Sequence, residues 1–377
     1  MTTSSVAPTA TAGPTATAVP TATAGQPGNP AVSVCIVTHS RARLLDSCLR
    51  SLQEQESPPP FELLVGCVVK GSGEPDVRGI VRSRFPEATV GGIQGGYPGA
   101  ARNLIVERAR GELLLFVDDD VICEPTLLRR VVALASAHPE VGVFGGPNLT
   151  PPGSTRFQVI QGAVLGSALA AGPIRRRYGK HAAGAANERQ LILCNLAIRR
   201  SVMVPFANHL ACAEENGLLA ELSRQGVRMH YDPDLVVFHE RRPSPGGFIR
   251  QMLKYGRGRG QLMARVPRSS SPVHLAPVAL LAYLVLLPLA IALFAGHPLW
   301  MAGALAPLAL YLMAVAASGL NIARNVGRWR SAPVAGAMTV AIHLAYGAGI
   351  PWGLTSSRRS RPAPEWSDRP ASRLEEA

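Results

Sequence analysis

The three consecutive carboxylates of Asp118, Asp119 and Asp120 are the residues of this chain best suited to chemistry. They follow an apolar run, residues 112–117, whose composition is typical of a buried strand in a parallel sheet. Ligands of open α/β sheets lie beyond the carboxyl ends of the strands. Adjacent acids repel one another, and oxygen ligands suit Mg²⁺ or Mn²⁺. The triplet therefore predicts either a metal site for a phosphorylated ligand or a solvated acidic turn.

Two further polar groups lie at the ends of predicted elements. Glu214 and Glu215 begin a predicted helix, and His239 follows the last predicted strand. Acids at a helix start also complement the helix dipole, and a single histidine after a strand is also compatible with a structural role. Together with the acid triplet in one α/β domain, these residues predict a single site that combines charge neutralisation, a metal and a base.

Strands and helices alternate through the first two thirds of the chain. Apolar runs predict strands at residues 31–38, 61–69, 88–93, 112–117, 141–145, 191–198 and 235–238. Helical spacing predicts helices at residues 43–53, 77–85, 100–110, 125–137, 157–171 and 214–225. This alternation with short links predicts a doubly wound α/β sheet. The basic, irregular segment 174–190 is a candidate wall of a ligand pocket.

The composition points to a membrane protein. The 377 residues carry a net charge of +13, yet only 17% are charged and 47% are hydrophobic, which argues against a soluble nucleic-acid-binding protein. Residues 269–323 contain no Lys, Arg, Asp or Glu, and basic residues flank this segment.

The six cysteines include no CxxC pair, which favours buried reduced thiols in a cytosolic domain over disulfides or a zinc site.

Three apolar segments follow the α/β region. Residues 275–295 and 299–320 are each long enough to cross a bilayer, and residues 333–354 form a third, weaker candidate. Arginines before the first span and after the second predict that both flanks are cytoplasmic. A third span would place the basic tail outside, so the third segment either re-enters the membrane or is an exception to the positive-inside rule. The absence of charge within the spans argues against a transporter.

The chain divides into five predicted regions. These are a disordered Pro/Thr/Ala-rich tail at 1–30, an α/β domain at 31–245, a basic amphipathic interface segment at 246–270, a transmembrane region at 275–355 and a disordered tail at 356–377.

Several sequence motifs resemble those of the family 2 glycosyltransferases. They are AVSVCIVTHSRARLLDSCLRSL, AARNLIVERARGELLLFVDDDV, CNLAIRRSVM, AEENGLLAEL and VVFHERRPSPGGFIRQMLKYGRGRG, within residues 32–260. The resemblance implies the nucleotide-binding α/β fold called GT-A. The apolar segments and HLAYGAGIPWGL resemble membrane-attached members that build bacterial exopolysaccharides of the succinoglycan type.

The resemblance implies a role for each matching residue. Asp118 and Asp120 match the DxD pair, so Asp120, with Asp118 and His239, is expected to hold the metal. The expected nucleotide-sugar contacts are Thr38, Arg41, Arg102, Asn103, Asp118, Asp119 and Asn195. Glu215 is the expected general base, with Glu214 as the alternative. Gln251, Lys254 and Tyr255 are similar to a QxxRW motif near the acceptor, with Lys and Tyr in place of Arg and Trp.

The expected activity is inverting transfer of a sugar from a nucleotide-diphosphate sugar, UDP by default, with Mn²⁺ or Mg²⁺ as cofactor. The expected acceptor is lipid-linked or a polysaccharide at the inner face of the cell membrane, with membrane lipids and no nucleic acid as partners.

Basic residues near the interface contact anionic headgroups or are ordinary flanking charge. They are Arg241, Arg242, Arg250, Lys254, Arg257 and Arg259. Val69 and Lys70 stand where many relatives have an acid that contacts the nucleotide. A non-catalytic scaffold and a nucleotidyltransferase remain alternatives.

Overall fold

The computed structural model describes residues 29–39, 41–69, 76–94, 97–207, 214–265 and 272–359. The tails expected to be disordered were 1–30 and 356–377; residues 1–28 and 360–377 of these lie outside the described residues, as does Lys70, whereas residues 356–359 are the end of a helix. Within the described ranges, an α/β domain leads into four long helices.

The first half of the domain follows the predicted alternation closely. Its strands are β1 (Val32–Thr38), β2 (Phe61–Val69), β3 (Thr89–Gln94) and β4 (Leu113–Asp118). Its helices are α1 (Ala42–Gln53), α2 (Val77–Arg84) and α3 (Pro98–Val106). Every residue of β1 is buried, because helices cover both faces of the parallel strands. The predicted α/β class is therefore confirmed, although α3 ends four residues earlier than predicted.

The second half contains more strands than the sequence predicted. Its elements are β5 (Val121–Cys123), α4 (Leu127–Ala137), β6 (Val141–Gly145), β7 (Asn148–Leu149), α5 (Arg156–Leu165), α6 (Ala168–Ala171), β8 (Gly184–Ala186), β9 (Asn195–Arg199), α7 (Glu214–Arg224), β10 (Arg228–Tyr231) and β11 (Val237–His239). The strands β5, β7 and β8 have only two or three residues, which is too short to show a strand periodicity.

One eight-stranded sheet has the order β3-β2-β1-β4-β9-β6-β10-β8. It is mixed, because β9 runs antiparallel to both β4 and β6. The apolar run at 191–198 predicted a strand from residue 191, but β9 begins at Asn195. The preceding residues, Leu191 and Leu193, are buried against the sheet without pairing in it.

A second, three-stranded sheet has the order β5-β11-β7. Strand β11 pairs antiparallel with β5, so that His239 lies opposite Val121. It also pairs parallel with β7. This small sheet brings the residues after the acid triplet next to the end of the last strand.

The predicted helix at 157–171 is two helices, α5 and α6. A capping box of Thr155 and Gln158 begins α5, and the Ser167 hydroxyl caps α6. Residues 156–165 and 168–178 are bent by 65° relative to each other. A 3₁₀ helix (Gly172–Tyr178) then continues from α6 into the segment that was predicted to be irregular.

Four helices complete the described chain: α8 (Pro245–Arg265), α9 (Pro272–Leu293), α10 (Pro298–Asn325) and α11 (Ala332–Arg359). Three apolar helical segments, Pro272–Leu293, Pro298–Asn325 and Trp329–Ser356, are long and apolar enough to cross a membrane. These three segments differ in how much of their most apolar stretch is buried. The buried share is 0% in Pro272–Leu293, 6% in Pro298–Asn325 and 44% in Trp329–Ser356.

Helix α11 owes its burial to close packing along α8. Gly256 and Gly260 of α8 face the backbone of α11, where a Cβ atom would overlap the carbonyl oxygens of Tyr346 and Ile350. Gly349 and Gly353 of α11 face the backbone of α8 in the same way. Small residues four apart on both helices let the two backbones approach closely.

Candidate active site

The acid triplet lies where the sheet topology predicted. Strands β1 and β4 are parallel neighbours, so Thr38 and Asp118 both end at the carboxyl edge of the sheet. The Thr38 hydroxyl donates to Asp119 Oδ2 at 2.6 Å, and both side chains are fully buried. Burial raises the pKa of Asp119, although Arg41 and the Thr38 hydroxyl partly oppose that rise. Asp119 therefore joins the carboxyl end of β4 to the carboxyl end of β1 through this hydrogen bond.

Arg41 neutralises two of the three acids. Its Nη1 donates to Asp120 Oδ2 at 2.5 Å and its Nε to Asp119 Oδ2 at 3.3 Å, while its Nη2 pairs with Asp119 Oδ1. Burial opposes the charged guanidinium, but Asp120 and Asp119 outweigh it and raise the pKa of Arg41. The loop after β1 is therefore tied to the loop after β4 through charge.

His239 approaches the triplet from the second sheet. Because β11 pairs with β5, His239 Nε2 lies 3.0 Å from Asp120 Oδ1. Burial acts to raise the pKa of Asp120, but His239 and Arg41 outweigh it and hold that pKa well below its usual range. Asp118 behaves in the opposite way. Burial, with Asp120 adding to it, raises the pKa of Asp118 to about 6, although Arg102 lies 3.6 Å away.

Asp118, Asp120 and His239 are arranged as metal ligands. One ligand atom from each lies within 4.8 Å of the others. Asp120 Oδ1 is buried and forms no hydrogen bond with described residues, despite its closeness to His239 Nε2. A buried carboxylate oxygen without a hydrogen bond is costly unless something else neutralises it. Two carboxylates and one imidazole suit a divalent cation such as Mn²⁺, so the residues present fit the expected metal.

Arg102 and Asn103 of α3 take different positions. Arg102 is buried, faces Asp118 and lies 5.6 Å above the Phe206 ring. Asn103 instead holds the Phe206 backbone, donating to its carbonyl at 2.9 Å and accepting from its N–H at 2.7 Å. Arg102 therefore joins the acid cluster, whereas Asn103 fastens the chain just before residues 208–213, which lie outside the described part.

Asn195 is enclosed by backbone. Its amide donates to the carbonyls of Leu235 at 2.6 Å and Pro147 at 3.2 Å, and its side chain is buried. Its position beside Val117 in the sheet is close to the triplet. Both of its amide hydrogens are engaged, so the structure gives Asn195 a part in joining β9 to the loops before β7 and β11.

A cleft runs from the acid triplet to α8. Its lining includes Asp118, His239, Gln251 and Tyr255, and Gln251 Nε2 donates to the Tyr255 hydroxyl at 3.1 Å. Lys254 is exposed and does not line this cleft. Two of the three predicted acceptor residues thus lie on a cavity wall shared with two candidate metal ligands.

Glu215 lies near the same cleft. It is in the first turn of α7, where Asn216 Nδ2 donates to Glu215 Oε1 at 3.2 Å. Burial raises the pKa of Tyr178, a residue of the cleft wall, and the charge of Glu215 adds to that rise. Glu214 belongs to the same helical turn, but its side chain lies outside the described part of the chain.

Arg241 is buried in the α/β domain, so it fits neither headgroup contact nor an exposed flanking charge, the two predicted alternatives. It is 5% exposed and donates through Nη2 to the Asn148 carbonyl at 2.6 Å and through Nε to Thr150 at 3.3 Å. Its guanidinium lies 5.4 Å from the Tyr178 ring and lines the cleft. Burial lowers the pKa of Arg241. His239 and Arg241 nevertheless both line the cleft, although β11 ends at His239.

Comparison with known proteins identifies the type of domain. Residues 30–258 match the family described as "Glycosyltransferase like family 2". No curated protein sequence matches the chain significantly.

One solved structure shares the fold, and a second is more distantly similar. A mannosyltransferase from Pyrobaculum calidifontis, PcManGT, solved with GDP-Man and Mn²⁺, is 20% identical with a TM-score of 0.54. The match covers 88% of this chain and 90% of that one, so it extends beyond residues 30–258. TarS 1–349 from S. aureus, solved with UDP-GlcNAc, is 14% identical with a TM-score of 0.45, covering 87% of this chain and 91% of that one.

Proposed function

The chain belongs to glycosyltransferase family 2, and we propose that it is a metal-dependent, inverting transferase that acts on an acceptor at the membrane surface. It transfers a sugar from a nucleotide sugar, as its family does. The observation that carries the proposal is the convergence of Asp118, Asp120 and His239 at the carboxyl edge of the sheet. Neither the acid triplet nor the histidine alone would define a donor diphosphate site.

Asp118, Asp120 and His239 are the proposed metal ligands. A divalent cation bound there would neutralise the donor diphosphate and the charge that develops on it as it leaves. The Mn²⁺ in the mannosyltransferase structure supports this assignment. Asp119 is then a positioning residue, because its buried carboxylate fixes Thr38 and Arg41 rather than facing the cleft.

Arg41 and Arg102 are the proposed donor-side cations. Each contacts one or two of the acids, and each belongs to an element that ends or begins at the carboxyl edge. A bound diphosphate would compete for their N–H groups, since guanidinium pairs well with phosphate oxygens. Thr38 supports Arg41 through Asp119. The nucleotide itself is an expectation, with UDP as the default and GDP as the alternative.

Glu215 is the proposed general base. The next residue, Asn216, contacts Arg177, which precedes Tyr178 of the cleft wall, and this supports the proposal. An acceptor hydroxyl within hydrogen-bond reach of Glu215 would lose its proton as its oxygen attacks the anomeric carbon. The nucleoside diphosphate leaves from the opposite face of the sugar, so the configuration inverts and no covalent enzyme intermediate forms. Gln251 and Tyr255 are the proposed acceptor contacts, and Lys254 is proposed only as an interface residue.

The proposed location is the inner face of a cell membrane, with α9 and α10 as spans. The low burial of their apolar windows supports lipid contact. Helix α11 is proposed to lie beside α8 at the interface rather than to cross. Three observations support this: its 44% burial, its close packing along α8, and the contact of Arg257 with Trp352 at 4.3 Å. A charged helix such as α8 is too costly to place in the bilayer core.

This arrangement returns the basic C-terminal tail to the cytoplasmic side, in agreement with the positive-inside rule. A C-terminal reporter protein tests it, because the tail and the catalytic domain are expected on the same side. A reporter located on the opposite side would show that α11 crosses the membrane. The narrower proposal, an acceptor in exopolysaccharide assembly of the succinoglycan type, rests on the sequence resemblance alone.

A nucleoside diphosphate release assay tests the activity. Membranes that carry the wild type, Asp120→Asn or Glu215→Gln are given a panel of UDP- and GDP-sugars with Mn²⁺. Release with one donor in the wild type and its loss in both variants is the expected result. Pyrophosphate as the product would indicate a nucleotidyltransferase. Donor binding by the wild type without turnover on any acceptor extract would favour a non-catalytic scaffold.

A further inference from the structure

A second charged region lies between the α/β domain and the apolar helices. Arg177, at the end of the 3₁₀ helix, is 6% exposed, and its Nε has no hydrogen-bond partner among the described residues. Its Nη2 donates only to neutral oxygens, the Glu188 carbonyl at 3.4 Å and Asn216 Oδ1 at 3.3 Å. No ion pair joins Arg177 to a carboxylate within the described part of the chain. A buried guanidinium without a counter-charge is destabilising.

A second arginine shares the same acceptor. Arg259 of α8 donates to Asn216 Oδ1 at 3.4 Å, so two guanidinium groups converge on one amide oxygen. Arg259 too has no carboxylate partner among the described residues. Two cations around one neutral oxygen repel each other, and an anion placed between them would remove that repulsion.

The first turn of α9 supplies a third unsatisfied group. His274 is 8% exposed, and its Nδ1 has no hydrogen-bond partner among the described residues. Arg259 and Arg189 are the charges that act on it. Because α9 is apolar from this point onward, the region lies where the chain meets the hydrocarbon.

The same region adjoins the candidate catalytic groups. Asn216, which accepts from both arginines, follows Glu215 directly and donates to its carboxylate. Arg177 precedes Tyr178, which lines the cleft that contains Asp118 and His239. A ligand held by the two arginines would therefore be adjacent both to the cleft and to the membrane surface.

We propose that Arg177 and Arg259, with His274 beside them, bind the phosphate group of a lipid and so define the acceptor as a phosphate-bearing lipid. The inference rests on the proposed function for the role of this lipid, but the binding site stands on its own contacts. Guanidinium groups pair with phosphate oxygens through charge-assisted hydrogen bonds, and the unpaired Arg177 Nε and His274 Nδ1 offer further polar contacts. The lipid tail would lie along the apolar surface of α9.

Binding to the purified full chain tests the site without any sugar donor. Dodecyl phosphate is titrated calorimetrically into the protein in dodecyl maltoside, with dodecanol and inorganic phosphate as separate probes. The variants are Arg177→Gln and Arg259→Gln. Arg265→Gln is the matched control, because Arg265 is an exposed arginine in the last turn of α8 that forms none of these contacts. Thermal unfolding and Mn²⁺-dependent nucleotide binding verify that each variant is folded.

Saturable binding of dodecyl phosphate is expected in the wild type and in the control. It should weaken at least tenfold in Arg259→Gln and in Arg177→Gln, and both other probes should bind the wild type at least tenfold more weakly. Equal affinity in all four proteins would overturn the assignment of the site. Inorganic phosphate binding as tightly as dodecyl phosphate would overturn the lipid as the source of the anion. Since no transfer is measured, this result is independent of the activity assay.

Discussion

Two charged regions of this molecule differ in how their charges are matched. At the carboxyl edge of the sheet, three acids meet Arg41, Arg102 and His239, and Asp119 has both a guanidinium and a hydroxyl as partners. At the junction with the apolar helices, Arg177 and Arg259 meet only neutral oxygens among the described residues.

The difference indicates which kind of ligand each region lacks. Among the described residues, the acid edge leaves Asp120 Oδ1 without a hydrogen bond beside its ion pair with His239, and the arginine region leaves Arg177 Nε and His274 Nδ1 without one. Unsatisfied oxygen in an acid cluster favours a cation, whereas unsatisfied nitrogen between guanidinium groups favours an anion. The cleft wall connects the two regions through Tyr178, so a metal-bound donor and an anionic acceptor would meet between them.

Replacing Asp120 gives the largest expected loss of activity. Asp120→Asn keeps the side-chain shape but removes the charge that faces His239 and Arg41. Nucleoside diphosphate release should fall roughly 10²–10³-fold or more, as when one electrostatic stabiliser of a transition state is removed. The thermal midpoint should fall as well, because the variant removes the charge that pairs with His239 and Arg41. Unchanged release would remove Asp120 from the metal site.

Replacing the neighbouring acid, Asp119, should mainly lower the stability of the fold. Asp119→Ala leaves the buried Thr38 hydroxyl without its acceptor and Arg41 with one acid fewer. Because Arg41 is partly exposed, we expect a loss of roughly 2–4 kcal/mol in the free energy of unfolding. Differential scanning fluorimetry in detergent measures the corresponding fall in the thermal midpoint. A variant as stable as the wild type would contradict the positioning role given to Asp119.

The arginine region depends on the contact between α8 and α11. Gly256→Ala introduces a Cβ that overlaps the Tyr346 carbonyl, so we expect a loss of about 1–3 kcal/mol from overpacking. Gly303→Ala is the matched control, because a Cβ on this glycine of α10 meets nothing within 4 Å. The thermal midpoint should fall in the first variant only. Equal midpoints would mean that the close approach of the two helices is not needed for stability.

The smallest effect is expected at Glu62. It lies at the start of β2, at the amino ends of the strands and far from both charged regions. Its Oε1 accepts from the Ser33 hydroxyl at 2.7 Å and from the Arg110 N–H at 2.6 Å. Burial opposes the charged form, but these hydrogen bonds outweigh it and lower the pKa of Glu62 below its usual value. Its contribution to stability is therefore present above the unfolded pKa and lost as the pH falls through the lower folded pKa.

Glu62→Gln should consequently destabilise the protein by about 1 kcal/mol at neutral pH. The difference from the wild type should shrink as the pH falls through the acidic range. Thermal midpoints measured from pH 7 to pH 3 test this. A difference that grows toward acid pH would contradict the sign given to the pKa shift.

The strand pattern of the sequence predicted one part of the site, the proximity of Thr38 and Asp118. Parallel apolar runs end at Thr38 and Asp118, and parallel neighbours end at the same edge, so their proximity could be inferred without coordinates. A shared site for His239 and the acid triplet was predicted from their places at element ends, and their role as metal ligands came from the family resemblance. The apolar run 235–238 predicted β11, whereas its partner β5 has only three residues and gives no periodic signal.

The remaining contacts join residues far apart in the chain through irregular segments. Arg241 was predicted either to contact anionic headgroups or to be an ordinary flanking charge, yet its partners are backbone and hydroxyl oxygens of residues 148–150. Arg177 lies in a basic stretch with no periodicity, and its meeting with Arg259 requires both the 3₁₀ helix and the packing of α8. Pairings of this kind depend on tertiary structure that local patterns do not encode.

The most direct test of the account is Mn²⁺ binding at the acid edge. Electron paramagnetic resonance counts free Mn²⁺ in the presence of the purified full chain and UDP or GDP, for the wild type, Asp120→Asn and Arg265→Gln. We expect one bound Mn²⁺ in the wild type and in the control, with tighter nucleotide binding when the metal is present, and loss of both in Asp120→Asn. Undiminished Mn²⁺ binding in Asp120→Asn would contradict the metal site on which the proposed function is built.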